Sequence, residues 1–361
     1  MSDTELMLAS FIEWVQEDAL RPVLILVCAM LLFNLPAFIY KIRMAIRGVL
    51  YFLLCWDKSW KKPQDPGSIF GPHLSQALPV QRKTVYFVRH GESTWNDTFN
   101  KGKHRSAAMF VIGFFPGLAK ALIYEVYLLL TGKIDSWFYD APLSHLGLSQ
   151  AEELAAFLKD KPLDGPEAEH IKILRGEEGS PPSKFLCSSL RRAVSTLVVG
   201  FKDRLSRKPD DKILIIPSLQ EISRNPDTLS ITPAQTPIQA SWIEKGSKEI
   251  ADFQNVFNSQ LDMGLHMGNK PLDTNGLKRM NEFCEFLYSQ KDEYFVVGGH
   301  SIWFRSFFRM FLPYSVHHAS KEKKIVNGGV VTFELMKAET RRGPRYMIDP
   351  KTIQVVYGGF D

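Results

Sequence analysis

The chain reads as an α/β protein: a three-layer α/β/α sandwich with a mostly parallel central sheet, plus apolar helices at the N-terminus. Three observations predict this. Short runs rich in β-branched and aromatic residues read as buried strands: VYFV (85–88), FLCSS (185–189), KILIIP (212–217) and YFVVGG (294–299). Between them lie segments of helical periodicity, and strands alternating with helices argue for a layered α/β sheet. The length, 361 residues at 45% hydrophobic and 23% charged, suits one large domain or two of ordinary globular make-up.

From the N-terminus, residues 1–21 carry Asp3, Glu5, Glu13, Glu17 and Asp18 against Arg21 alone. Residues 22–40 carry no charge, and about 20 apolar residues are what a bilayer-spanning helix needs. Asn34 and Pro36 interrupt that run, so a single span and a re-entrant hairpin bent at Pro36 both stay open. Lys41, Arg43 and Arg47, then the apolar GVLYFLLCW (48–56), then Lys58, Lys61 and Lys62 resemble an interfacial helix. The run lacks a basic leader and a small-residue cleavage site, which argues against a signal peptide. The charge asymmetry places the C-terminal side of the run in the cytosol, or in an organelle interior of equivalent topology. A soluble core helix is the alternative. Residues 1–56 are thus expected to be a membrane-associated helical segment, 57–80 a Pro/Gly/Ser-rich linker, and 81–361 the main α/β domain, with the insertion described next.

A second apolar stretch, AAMFVIGFFPGLAKALIYEVYLLLTG (107–132), lies in an insertion at about 101–135 and comes after Lys101, Lys103, His104 and Arg105. It is either a second membrane-facing element or an extra pair of core helices. Beyond it the pattern predicts a helix over 148–159, a loop over 163–182, a strand at 185–189, a helix over 190–205 and a strand at 212–217. It then predicts a loop over 223–246, a helix over 274–289, a strand at 294–299 and an aromatic helix over 302–312. Edge strands are expected at 329–335, 346–348 and 353–357. No internal repeat is visible.

Composition narrows function. A net charge of +5, with no zinc-finger, RNP-like or polybasic motif, gives no reason to expect nucleic acid. The four cysteines, Cys28, Cys55, Cys187 and Cys284, are scattered, so neither a disulfide framework nor a zinc site is implied.

The chemistry sits where strands end. Arg89 and His90 close the first strand and are followed by Gly91, the place where open α/β sheets put their ligands. A glycine there lets backbone N–H groups approach an anion. The segment RHGESTWN (89–96) resembles the signature of the histidine phosphatase (phosphoglycerate mutase-like) superfamily. Three further segments resemble that family in the same order: PLSHLGLSQAEELAAFL (142–158), CSSLRRAVST (187–196) and VVGGHSIWFR (296–305). The resemblance covers roughly residues 83–335 and leaves out residues 1–80.

That resemblance implies a phosphoryl transfer through histidine. It makes His90 the nucleophile and His300 a second histidine that stabilises phosphate charge. Arg89, Arg192 and Asn96 become phosphate-binding residues. It puts Glu221, in PSLQEIS, in the role of general acid, with Glu92 as the rival; Glu92 reads better as a loop hydrogen-bonding group. Thr94 is expected to hydrogen-bond within the loop, Trp95 to pack, and Arg191 to face solvent. Lys101, Lys103, His104 and Arg105 are expected to meet lipid headgroups, or else a second anionic group of the substrate. The remaining histidines, 73, 145, 170, 266, 317 and 318, belong to no constellation. Two histidines and two arginines are not a metal-ligand set, so no metal or cofactor is implied.

The function expected is a membrane-tethered phosphomonoesterase. Its partners would be a phosphorylated small molecule, lipid or phosphoprotein, membrane lipid and, with them, membrane proteins. The alternatives are a catalytically silent subunit of a membrane assembly and a phosphoglycerate mutase-type phosphotransferase.

Overall fold

A mixed eight-stranded sheet runs through the computed structural model, which describes residues 20–70, 80–101, 105–245 and 254–361 together with Met7, Ser10, Glu13 and Trp14. Residues 71–79 of the linker expected over 57–80, the acids before residue 13, Glu17, Asp18, His73, Lys103 and His104 lie outside the described residues. The strands are β1 (Val80–Arg89), β2 (Ser183–Cys187), β3 (Ile213–Ile215), β4 (Leu261–Asp262), β5 (Tyr294–Gly299), β6 (Val330–Thr340), β7 (Gly343–Ile348) and β8 (Gln354–Tyr357). Their order is β4-β3-β2-β5-β1-β6-β7, with β8 also on β6.

The α/β/α sandwich is as expected, but the sheet is mixed rather than mostly parallel. Strands β1 to β5 pair in parallel, whereas β6 joins β1, β7 and β8 in antiparallel fashion. β6 is also not an edge strand. It holds β1 on one side and β7 and β8 on the other. Antiparallel pairing needs only a short turn, such as the one between β6 and β7, and apolar periodicity does not distinguish strand direction.

In chain order the helices are α1 (Leu20–Phe33), α2 (Leu35–Leu54), α3 (Pro66–Ile69), α4 (Thr94–Phe99), α5 (Ala107–Leu130), α6 (His145–Asp160) and α7 (Ala168–Arg175). Then come α8 (Arg191–Gly200), α9 (Lys202–Arg207), α10 (Trp242–Lys245), α11 (Gln254–Ser259), α12 (Gly276–Ser289), α13 (Ser301–Phe311) and α14 (Ala319–Glu322). Helix α7 lies inside a segment expected to be a loop; its stop is Gly176 in the left-handed region at φ 63°. The helix expected over 190–205 breaks at Phe201 into α8 and α9.

The sheet is buried on both faces, which accounts for the continuously apolar strands. Alternate residues of β1 feed two cores. Tyr86 and Val88 join Leu148, Leu154, Val194 and Leu197 of α6 and α8. Val85 and Phe87 join Phe283 of α12 and Trp303, Phe304 and Phe307 of α13. Phe87 stacks on Phe304 with ring centroids 4.1 Å apart.

Residues 57–69 are built into the domain rather than strung out as a linker. Asp57 is fully buried and ion-pairs with Lys270 at 2.6 Å and Arg279 at 2.5 Å. Asp65 caps α3 and accepts from the Tyr314 N–H at 2.9 Å.

The apolar helices gather on one side. α1 and α2 meet at Asn34 with an 82° bend, and Pro36 falls in the first turn of α2, where a proline costs little. The Asn34 amide donates to the carbonyls of Met30 and Leu130, both at 2.8 Å, tying the bend to the end of α5. Helix α5 is not a core helix. Ala121 and Leu128 are buried, and Phe114 and Tyr124 meet Phe99 and Trp137. Met109, Val111, Ile112, Phe115, Leu122, Ile123 and Val126 stay exposed. The Glu125 carboxylate accepts from the Trp137 N–H at 2.7 Å and pairs with Lys41 at 2.6 Å, linking α5, α2 and the domain.

Candidate active site

The site arises from strand register. β5 lies between β2 and β1, with Arg89 opposite Gly299 and Cys187 opposite Gly298. The three strands therefore end level, and the residues after them, His90, Ser188 and His300, come out side by side. The His90 N–H continues the ladder to the Gly299 carbonyl at 3.1 Å. The rings of His90 and His300 lie 5.0 Å apart, centroid to centroid. Arg192 comes in the first turn of α8, where helix N–H groups and dipole favour an anion.

The loop after His90 needs its glycine. A Cβ on Gly91 would lie 2.4 Å from the Gly147 carbonyl oxygen, and one on Gly147 would lie 2.0 Å from that of Glu92. Backbone meets backbone there, and the Gly91 N–H donates to Thr196 Oγ1 at 3.0 Å. Gly91→Ala is expected to destabilise the protein by about 1–3 kcal/mol and to move the His90 loop. Chemical denaturation of the variant measures the first effect.

One tautomer of His90 is fixed. Its Nδ1 lies 2.5 Å from the Gly91 carbonyl oxygen, which can only accept, so Nδ1 carries the proton and Nε2 the lone pair. Burial, then the charges of Arg192 and Arg89, hold His90 well below the ordinary histidine range. Burial, Arg192 and His90 do the same to His300. Both rings are thus neutral at pH 7 in the free protein. An NMR titration is expected to show the His90 ring still neutral at pH 6; protonation at an unperturbed histidine value would contradict this.

Both arginines are buried. The Arg89 guanidinium donates to the Ile325 carbonyl at 2.5 Å, and burial lowers it to about 10 against the pull of Glu221. Arg192 donates to the Asp227 carbonyl at 2.7 Å and lies 3.3 Å from the Asp227 carboxylate. Three buried nitrogens of these residues, Arg89 Nε, Arg192 Nε and His300 Nδ1, make no hydrogen bond within the protein; the two guanidinium atoms are donors, and the His300 atom donates when Ser188 Oγ donates to Nε2. An unpaired buried donor costs about 1–3 kcal/mol, a cost that an acceptor-rich anion on the two arginine Nε atoms would remove. His300 Nε2 is held by Ser188 Oγ at 2.8 Å.

The other expected site residues fall differently. The Glu221 carboxylate accepts from the N–H groups of Ile222 at 2.9 Å, Ile302 at 3.0 Å and Trp303 at 2.8 Å, so it sits on the N-terminus of α13 just past His300. The Asn96 amide oxygen accepts from Asn100 at 2.6 Å along α4. Glu92 accepts from the Ser144 hydroxyl at 3.0 Å, as expected of a loop residue. Thr94 donates to the Trp137 carbonyl at 3.2 Å, and Trp95 packs on Phe99. Arg105 donates to the carbonyls of Asp97 and Asn100.

Arg191 does not face solvent. It is buried, 2.6 Å from Asp135 and 3.7 Å from Asp140. Those two acids are why a charge beside Arg192 can be buried, and no local pattern announces them. Sequence reasoning also passed over Ser188, Asp227, Lys270 and Arg279. Ser188 lies within the CSSLRRAVST motif, but Asp227 sits in a proline-rich segment with no periodicity.

No family model matches the chain, and no curated protein matches it. Solved structures do. A mycobacterial glucosyl-3-phosphoglycerate phosphatase is 16% identical over 74% of this chain and 97% of its own, with a TM-score of 0.35. An α-ribazole phosphatase from Shigella flexneri is 13% identical over 76% and 96%, at 0.34. A phosphoserine phosphatase from Entamoeba histolytica is 13% identical over 74% and 96%, at 0.31. At such identities and scores the functional reading rests on this chain's own residues. Of the residues that the resemblance singled out, the structure brings His90 and His300 together at the strand ends, with the charges of Arg89 and Arg192 reaching His90.

Proposed function

We propose that the protein is a phosphomonoesterase that works through a phosphohistidine on His90. The observation that carries this reading is the meeting of a tautomer-fixed, neutral His90, its ring 5.0 Å from that of His300, with the buried, unpaired Nε–H donors of Arg89 and Arg192. His90 Nε2 attacks phosphorus and the ester P–O bond breaks. The arginines and His300 meet the equatorial oxygens, where charge is stabilised electrostatically. A carboxylic acid gives its proton to the leaving oxygen. Water then attacks phosphorus, the P–N bond breaks, phosphate leaves and the carboxylate regains a proton.

The resemblance assigns that acid to Glu221. A specific observation favours a second carboxyl, Asp227. Burial pushes it up to about 6 despite Arg192, and its Oδ1 makes no hydrogen bond. Glu221→Gln and Asp227→Asn distinguish them. Removing the acid is expected to lower kcat/KM on an alkyl phosphate by about 10²–10⁴ while sparing p-nitrophenyl phosphate, whose leaving group needs no proton. Equal losses on both substrates would deny the acid role to the residue replaced.

The seat of the enzyme is, in this reading, one leaflet of a membrane. Among the described residues only Ala107–Leu130 is long and apolar enough to cross a bilayer on its own. Yet α5 lies along the domain, touching it from Phe114 to Leu128. α1, with 14 residues, reaches only about 21 Å, and α2 runs beside Tyr139 and Ile231. Helices fastened lengthwise to a polar domain insert in the plane of the interface rather than through it. Cys28 on α1 is exposed, whereas Cys55, Cys187 and Cys284 are buried. Vesicles of phosphatidylcholine and phosphatidylserine are expected to carry the full chain in flotation and to block labelling of Cys28 by an impermeant maleimide. Chain left at the bottom of the gradient, with Cys28 fully labelled, would remove the membrane from the account.

A further inference from the structure

Asp57 lies outside the stretch that resembles the phosphatase family, yet it is buried under the site. Its Oδ2 accepts from Lys270 Nζ at 2.6 Å and from the Ser223 N–H at 3.0 Å. Its Oδ1 accepts from the Arg279 guanidinium at 2.5 Å. The two cations reach onward from it. Lys270 donates to the carbonyls of Glu221 and, at 2.9 Å, Ser223. Arg279 donates to those of Gln220 and, at 3.2 Å, Ser218. Two side chains thus grip four carbonyls of loop 218–223, and one carboxylate balances them. Within that loop Glu221 turns its carboxylate onto the first N–H groups of α13, the helix that begins directly after His300.

The same N-terminal segment meets the other phosphate-side loop. Helix α2 rests on the turn Pro226–Thr228, and Tyr51 and Cys55 pack with Leu229. Asp227 in that turn holds Arg192.

We propose that Asp57 is a positioning residue of the phosphate site: the end of the N-terminal helical segment sets loop 218–223, and through Glu221 the helix start that carries His300. The inference rests on the phosphatase reading above. It makes the apolar segment part of the enzyme rather than a detachable tether.

The role has an electrical signature that simple packing would lack. Among the described residues Asp57 is the acid paired with Lys270 and Arg279. The charges of both cations reach His300. Lys270 faces Asp57, Arg279, the Cys55 thiol and the Tyr51 ring, and its charge also reaches Asp227. Burial lowers Lys270 to about 8, Asp57 opposes that and Arg279 reinforces it. Without Asp57 the ammonium gives up its proton at lower pH, and its charge-assisted grip on the Glu221 carbonyl weakens.

The test compares the full chain in lipid vesicles with Asp57→Asn and with Asp57→Asn/Lys270→Met, which restores the wild-type charge balance. Turnover of p-nitrophenyl phosphate is followed against pH. Asp57→Asn is expected to lose about 10-fold or more in kcat/KM, with its alkaline limb moved down by about 1–3 units. The double variant is expected to recover part of the loss and to lack that limb. Asp57→Asn that folds and keeps the wild-type rate and profile overturns the proposal. If it does not fold, a double variant that retains the wild-type limb overturns it. Failure of both to fold also overturns it, because Asp57 would then serve folding and not the site. Should the wild-type protein hydrolyse no phosphomonoester, the phosphatase reading has failed. Orthovanadate affinity then reads the brace alone, with 10-fold weaker binding in Asp57→Asn expected and equal binding overturning it.

Discussion

His90→Ala is expected to abolish turnover while leaving the protein folded. The variant loses the proposed nucleophile, and losses from removing a nucleophile are on the order of 10⁴–10⁶ in kcat. The structural cost is smaller. His90 makes one side-chain hydrogen bond, to the Gly91 carbonyl, worth about 1 kcal/mol. Its ring lies beside that of His300, centroids 5.0 Å apart. Removing a neutral buried imidazole also leaves no ion behind, since burial and the two arginines already deny it a proton. Thermal unfolding of the variant should therefore lie close to the wild type. A folded variant that retains more than a small fraction of turnover would show that His90 is not the nucleophile, and one that unfolds would contradict the small structural cost.

Arg192→Ala is the second large effect. An arginine that meets a transferring phosphoryl group is worth about 10³–10⁵ in rate, and Arg192 Nε is one of the two buried, unpaired arginine donors. The substitution also frees Asp227, whose carboxyl lies 3.3 Å from the guanidinium. Burial already raises that acid to about 6. With the cation gone it rises further and stays protonated at neutral pH, so the fold is spared an uncompensated buried charge. A loss of about 10³ in kcat/KM with the fold intact is expected. Arg192→Lys should not rescue it, because an ammonium cannot reproduce the planar fork. Steady-state kinetics of the two variants beside circular dichroism would check both statements.

How much of this was legible in the sequence depends on which forces are local. Four apolar runs predicted four of the parallel strands, since strands buried on both faces must be apolar throughout. The placing of Arg89, His90 and His300 came with them, because parallel strands of one register end together. Arg192 was legible through the motif around it. What escaped was long-range pairing. Asp57 finds Lys270 and Arg279 more than 200 positions away, and Arg191 finds Asp135 and Asp140 across some 50. A charge in a sequence reads as solvated until its partner is known. The direction of β6 was hidden for a similar reason, since alternation of side chains is the same in either direction. The apolar stretch at 107–132 was legible as unusual, but only the structure shows it lying along the domain with one face uncovered.

The most direct test of the central claim is to catch the covalent intermediate. The full chain, mixed rapidly with excess phosphomonoester, is quenched in alkali, where phosphohistidine survives, and its peptides are analysed by mass spectrometry. A phosphorylated peptide carrying His90, absent from His90→Ala and cleared when the substrate is exhausted, is the expected result. Steady hydrolysis with that peptide unmodified at every time point would contradict it.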